Sequence, residues 1–173
     1  PAAIKFWWER GTEAPCWLCH YFDNPDLSGA PIAQEALCGD DDEGMVIRKH
    51  WEATNTWPEG LGAGKSFSAC WTRVVEQPLP TDRYRLCVYA KDSVRLWLDN
   101  KLLIPERGVG AEPIFECRNV SLDPTTSSPH ILRLDYYRKS PDAAQQRGPR
   151  DAVLGFYMLK NRANSPWSGA HFY

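Results

Sequence analysis

No stretch of this chain is apolar for long enough to cross a membrane, which takes about 20 consecutive residues in a helix. Charge of one sign is lacking too: 20 Lys and Arg stand against 22 Asp and Glu. That balance gives neither the basic excess expected of a nucleic-acid partner nor an acidic tail. No segment repeats at a fixed period and no tract is of low complexity. Helix-period segments are scarce; the one expected is a short turn near Pro31 to Ala36. The opening residues, Pro1-Ala2-Ala3-Ile4-Lys5, lack the charged head and apolar block of a signal peptide, so the chain is expected to be a processed or excised piece of a longer polypeptide. Its 173 residues suit one core.

What the chain has in excess is cysteine and tryptophan, six and eight residues respectively. An even cysteine count fits an oxidising, secretory setting, and six cysteines allow fifteen pairings. The triplet Asn119-Val120-Ser121 is an acceptor sequence for N-glycosylation at Asn119.

Strand signals dominate. In "SFSACWTRV", Phe67, Ala69 and Trp71 alternate with Ser68, Cys70 and Thr72; in "YRLCVYA", Tyr84, Leu86 and Val88 alternate with Arg85, Cys87 and Tyr89. "VRLWLD", "HILRLDYY" and "AVLGFYML" follow the same period of two and are rich in β-branched and aromatic residues. Turn residues separate them, and Asp99-Asn100 between apolar flanks predicts a tight hairpin. Many short strands with turns between them predict an all-β, antiparallel fold, either a sandwich of jelly-roll type or a barrel, tied by one to three disulfides. Cys16, Cys19, Cys38, Cys70, Cys87 and Cys117 are all candidates. Cys70 and Cys87, in successive strands, are expected to pair with each other or with Cys19, Cys38 or Cys117.

Several short motifs suggest chemistry. Cys16-Trp17-Leu18-Cys19-His20 has the Cys-x-x-Cys-His spacing that attaches c-type haem. Such a haem also wants an axial partner, for which only Met45, Met158 and the other histidines are on offer, and no haem is expected. "GLGAGKS" resembles a phosphate-binding loop but has Glu59 where the first glycine belongs, and reads as a glycine-rich lead into the Phe67 strand. "DDDE" at Asp40 to Glu43 lacks the alternating spacing of a calcium loop and reads as a solvated acidic turn. Catalysis finds little footing: His20, His50, His130 and His171 stand beside no nucleophile motif, and the chain is not expected to be an enzyme.

The motifs occur in a telling order. "HYFDNPDLSGAP" is followed by "VIRKHWEATNTWPEGLGAGKSFSACWT", then "YRLCVYAKDSVRLWLDNKLLI", then "ILRLDYYR". This series resembles the domain family named after the anthrax-toxin protective antigen, a β-sandwich found in adhesins, yeast flocculins, glycosidases and toxins. The resemblance covers about Trp17 to Leu159. It implies a first strand with Trp17, Cys19 and Tyr21 facing the core, and core positions for Trp51, Trp71 and Trp97. In lectin-like members two adjacent aspartates hold a calcium ion that binds sugar hydroxyls. Here the stretch reads Lys91-Asp92-Ser93-Val94-Arg95-Leu96-Trp97, so only Asp92 remains as a metal ligand. A lysine ammonium has no lone pair for a metal, which puts calcium in doubt.

The resemblance also implies that the loop after "DYYR", Lys139 to Asp151, lies near Asp92. It offers Asp142, Gln145, Gln146 and Asp151, which with Lys91 and Asp92 form the expected site for sugar hydroxyls. The organisation expected is an N-terminal extension (1–15), the sandwich domain (16–160) and a C-terminal tail (161–173). Its function is then that of a non-catalytic, extracellular or cell-surface module for glycans or glycoproteins, built into a larger polypeptide, with neither nucleic acid nor membrane insertion. It could also be an appendage of a glycosidase. The other reading is a structural or protein-interaction module whose sugar site has been lost, to which Lys91 points.

Overall fold

The computed structural model describes residues 16–38, 46–51, 57–62, 64–75, 83–106, 114–122, 128–139 and 153–160. Ten strands run in chain order: β1 (Trp17–Phe22), β2 (Ala33–Leu37), β3 (Ile47–His50), β4 (Phe67–Val75), β5 (Arg83–Ala90), β6 (Ser93–Leu98), β7 (Lys101–Ile104), β8 (Ile114–Ser121), β9 (His130–Arg138) and β10 (Val153–Lys160). They form two antiparallel sheets, one ordered β2-β1-β4-β9-β6-β7 and the other β3-β10-β5-β8. The molecule is an all-β sandwich. Among the described residues no helix is long and apolar enough to cross a membrane.

Burial follows the period of two because one face of each sheet packs on the other. Trp17, Cys19 and Tyr21 of β1 are fully buried, as are Phe67, Ala69 and Trp71 of β4. Trp17 meets Phe156 of the opposite sheet edge-on, ring centres 5.1 Å apart. Tyr21 meets Trp71 within its own sheet at 5.9 Å. Offset and edge-on contacts of this kind are the favoured aromatic geometry. Trp51 is buried as well, but Trp97 is not a core residue: it projects from β6 between inward Leu96 and Leu98 and is half-buried on the outer face.

The hairpin at Asp99-Asn100 forms between β6 and β7, with both residues in the left-handed region (φ 49° and 63°) that a two-residue turn of this hand requires. Asp99 also accepts the Ile131 N–H at 2.8 Å and meets His130 Nδ1 at 2.7 Å, tying the turn to the start of β9.

Two expectations are corrected. The segment near Pro31 to Ala36 is not a helical turn: Ala33 to Leu37 pair residue by residue with β1 as an edge strand. The other is the pairing of Cys70: Cys87 takes one of its expected partners, Cys117, but Cys70 takes none. Cys16 is bonded to Cys38, flanking the β1–β2 hairpin, and Cys87 to Cys117, directly opposite each other on β5 and β8. Cys70 and Cys87 are successive in the chain but lie in different sheets, on the two outer faces, and cannot meet. Cys19 and Cys70 carry free thiols; adjacent in register across β1 and β4, they project to opposite faces. Cys16 of the haem-like spacing is thus in a disulfide, while Cys19 is in the core.

Candidate functional site

One end of the sandwich gathers most of the connections named above. In register, Phe22 meets Ser68, Phe67 meets Arg138, Ser93 meets Tyr137, and Ala90 meets both Leu154 and Ile114. The turn at Lys91-Asp92, the loop 23–32 and the segment entering β4 therefore leave from the same end. So do the departure of β9 at Arg138 and the return of β10 at Val153.

The loop 23–32 is built by its own polar side chains. Asn24 Oδ1 accepts the Asp26 and Ser28 N–H groups at 3.3 and 3.1 Å, and its amide donates to the Ser28 carbonyl at 2.9 Å. Buried Ser68 completes the clasp: its hydroxyl donates to the Asn24 carbonyl at 2.7 Å and accepts the Leu27 N–H at 2.9 Å. Asn24 so used folds a loop rather than holding a ligand. Leu27 and Gly29 take positive φ, 59° and 74°, where the chain reverses.

Beneath this end lies an aromatic cluster. Trp51 packs on Phe67 and on Tyr136, each at 5.3 Å, and Trp57 packs on Phe67 at 6.0 Å. The Tyr136 hydroxyl emerges from the cluster and donates to Asp92 Oδ2 at 2.5 Å. Asp92 is only 7% exposed. The structure thus places Asp92 at the turn between β5 and β6, with one carboxylate oxygen engaged from below, and Lys91 beside it, half-buried. Tyr136, absent from the residues singled out in the sequence, is what orients Asp92. Asp142, Gln145, Gln146 and Asp151 lie outside the described residues, as do the acidic run 40–43 and both chain ends.

The turn does not by itself suit calcium. That ion takes six to eight oxygen ligands. Among the described residues no group of three His, Cys, Asp or Glu side chains could hold a metal ion. The turn offers one carboxylate, that of Asp92, and it is already an acceptor for Tyr136.

Two further groupings lie away from the turn. On the outer face of the six-stranded sheet His20, Cys70 and Asp135 stand in one cross-strand row. Asp135 is almost wholly buried and accepts from Arg133 Nε at 2.7 Å and the Tyr137 hydroxyl at 3.3 Å. Burial and then the Asp135 charge push the Cys70 thiol up to about 12, so at neutral pH it is a thiol and not a nucleophilic thiolate. The Cys19 thiol is also pushed up, by burial above all. Asn119 projects from the outer face of β8, an edge strand, and is exposed. The second grouping is a cleft at the open side of the sandwich, where Tyr21, Glu35 and Lys49 converge.

No family's sequence profile matches the chain, and no curated protein matches it. Solved structures do. The chain is similar to part of the β-glucosidase from Kluyveromyces marxianus (TM-score 0.59, 12% identity, 84% of this chain and 17% of that one). It is similar to an anti-sigma factor domain-containing protein from Clostridium clariflavum (TM-score 0.54, 20% identity, 91% of this chain and 46% of that one). It is also similar to the PA14 sugar-binding domain of an RTX adhesin (TM-score 0.50, 12% identity, 84% of this chain and 89% of that one). The chain therefore spans about a sixth of the glucosidase, just under half of the anti-sigma factor protein and nearly all of the adhesin domain. At these identities the likeness is one of fold.

Proposed function

We propose that this chain is a non-catalytic carbohydrate-binding module of a larger secreted or cell-surface polypeptide, and that it binds glycans at the loop-bearing end of the sandwich. Lys91 and Asp92 form the rigid part of the site, with Asp142, Gln145, Gln146 and Asp151 contributed by the neighbouring loop. The observation that carries this reading is the Lys91-Asp92 turn. It stands at the loop-bearing end of the fold, with the Asp92 carboxylate held from beneath by Tyr136 and Lys91 next to it in the chain. A fold shared with a sugar-binding adhesin domain supports the same reading. Two disulfides support an oxidising compartment, since such bonds persist outside the cytosol. Calcium takes no part in this proposal, because Lys91 replaces the acidic neighbour that a hard cation requires.

The test is a glycan array probed with and without a chelator, followed by calorimetry on any hit. Binding that survives the chelator and is lost in Lys91→Ala supports the proposal. No hit on the array, or hits indifferent to Lys91→Ala, would sink it. The second reading, a structural or protein-interaction module, is favoured by one observation: the Asp92 carboxylate is turned inward to Tyr136 and largely buried. It predicts an empty array.

A further inference from the structure

β2 and β3 are edge strands, one of each sheet, on the same open side of the sandwich. Glu35 stands opposite Cys19 in the β1–β2 register, on the inward row of β2, and Lys49 is two residues beyond buried Ile47 on β3. The two side chains meet between the sheets as an ion pair. Each is fixed by a second contact. Fully buried Tyr21 donates its hydroxyl to Glu35 Oε2 at 2.6 Å, and the Lys49 ammonium lies over the Trp71 ring at 5.4 Å. Burial above all, then neighbouring Cys19 and Glu35, pushes the Tyr21 phenol up, so Tyr21 remains a donor at any physiological pH.

A cleft of about 430 Å³ opens onto this pair, with Ile32 and Trp57 among its walls and Gln34 at its rim. That volume is within the range of small-molecule sites, and the lining is mixed: Ile32, Trp57 and Pro58 stand among Gln34, Glu35 and Lys49, a balance suited to a polar ligand with an apolar face. Sealing a sandwich edge does not call for this arrangement. A partly exposed ion pair adds little stability, and apolar side chains of similar size would close the gap at least as well. The pair keeps 17% and 32% of its side-chain surface open. An ammonium has three protons and a carboxylate about four acceptor positions. The contacts named above use one proton and two acceptor positions, so hydrogen-bonding capacity remains on both groups.

We infer that this cleft is a second saccharide-binding subsite, separate from the Lys91-Asp92 turn. It rests on the glycan reading for its ligand class alone. Vicinal hydroxyls of a pyranose present a donor and an acceptor at neighbouring positions, which the Glu35 carboxylate and the Lys49 ammonium match. The C–H face of the ring packs against Ile32, which is 40% exposed, and half-buried Trp57. Because Tyr21 and Trp71 already order the charged pair, a ligand need not immobilise it, and a single sugar unit suffices for measurable binding.

The test uses the full chain, isotope-labelled, titrated with methyl β-glucoside, methyl β-galactoside and methyl α-mannoside to about 50 mM, a range that captures millimolar affinity. The reporters are the Trp57 indole and the Gln34 and Glu35 amides. At least one glycoside should shift them saturably. Lys49→Met, which keeps the stem on Trp71, should weaken that binding about tenfold or more, as loss of a charge-assisted hydrogen bond does. Ile32→Ala, at a wall position that is 40% exposed, should weaken it several-fold and leaves the ion pair intact should Lys49→Met fold poorly. If no glycoside moves the cleft signals, or if neither substitution changes the affinity, the inference is wrong. Shifts confined to residues 91–93 overturn it while supporting the first site. Shifts confined to the cleft support it and overturn the first site.

Discussion

Replacing Tyr136 by phenylalanine removes one oxygen atom from beneath the loop-bearing end and leaves the ring packed on Trp51 and Phe67. That oxygen is the donor to Asp92, whose carboxylate is nearly buried. A hydrogen bond to a charged group contributes about 1.5–3 kcal/mol, and its loss leaves the carboxylate less well solvated than in water. For a chain of this size each kcal/mol lowers the melting temperature by about 2–4 °C, so the expected drop is roughly 3–12 °C. Asp92→Ala should cost about 1–3 kcal/mol for the opposite reason, leaving a buried hydroxyl without that acceptor. Asp92→Asn, which keeps an acceptor oxygen, should cost less than either. The assay is urea unfolding followed by far-ultraviolet circular dichroism, with the two substitutions made singly and together. If the hydrogen bond matters as argued, the double variant is less damaged than the sum of the singles by more than about 1 kcal/mol. A coupling below about 0.5 kcal/mol would refute the reasoning. The outcome also decides how glycan assays are read: an Asp92→Ala variant that binds nothing has lost fold stability as well as a ligand, whereas Lys91→Ala separates the two.

Four other outcomes are expected. Replacing Cys87 and Cys117 by alanine opens a loop with a sequence separation of 30 residues and, by loop-closure entropy, should lower stability by about 3.5 kcal/mol in chemical unfolding; a loss below about 1 kcal/mol would show that the bond is not formed or is offset by strain. His20, half-buried on the outer face of β1, has its pKa lowered by burial from the usual 6.5, so the folded chain resists a proton that the unfolded chain accepts. Its contribution to stability is therefore complete above 6.5 and declines as the pH falls below it, and His20→Gln should flatten the fall in melting temperature between about pH 7 and pH 5. Native protein should react slowly with iodoacetamide at about pH 8, because both free thiols are held protonated, and should gain two adducts once unfolded without reductant. Produced through a eukaryotic secretory pathway, the chain should carry a glycan at exposed Asn119 that an amidase removes, and Asn119→Gln should lack it.

Strands that alternate inward and outward residues, or are rich in β-branched and aromatic ones, carry their own signal, and β4, β5, β6, β9 and β10 were legible for that reason. Of the edge strands, β7 was legible only as the second arm of the Asp99-Asn100 hairpin, and β2 and β8 were not legible. β2 reads "AQEAL" and buries no residue fully, and β8 reads "IFECRNVS", with Phe115 exposed and Glu116 turned inward. An edge strand is held by ladder hydrogen bonds to one neighbour, which leave little trace in composition. The Asp99-Asn100 turn was legible because positive φ at two successive positions demands residues of this kind.

The chain's residues, read alone, determined that this protein is a stack of short antiparallel strands with tryptophan-rich interiors. The period of two is a local consequence of pleating, and each strand displays it without reference to any other. Which strand lies beside which was decided only in three dimensions. That choice paired Cys87 with Cys117 instead of Cys70, aimed the Tyr136 hydroxyl at Asp92, and brought Glu35 of one sheet against Lys49 of the other. Each of these depends on register between segments 14 to 44 residues apart. Register is set by the summed burial of whole sheets, so no short stretch of sequence reveals it.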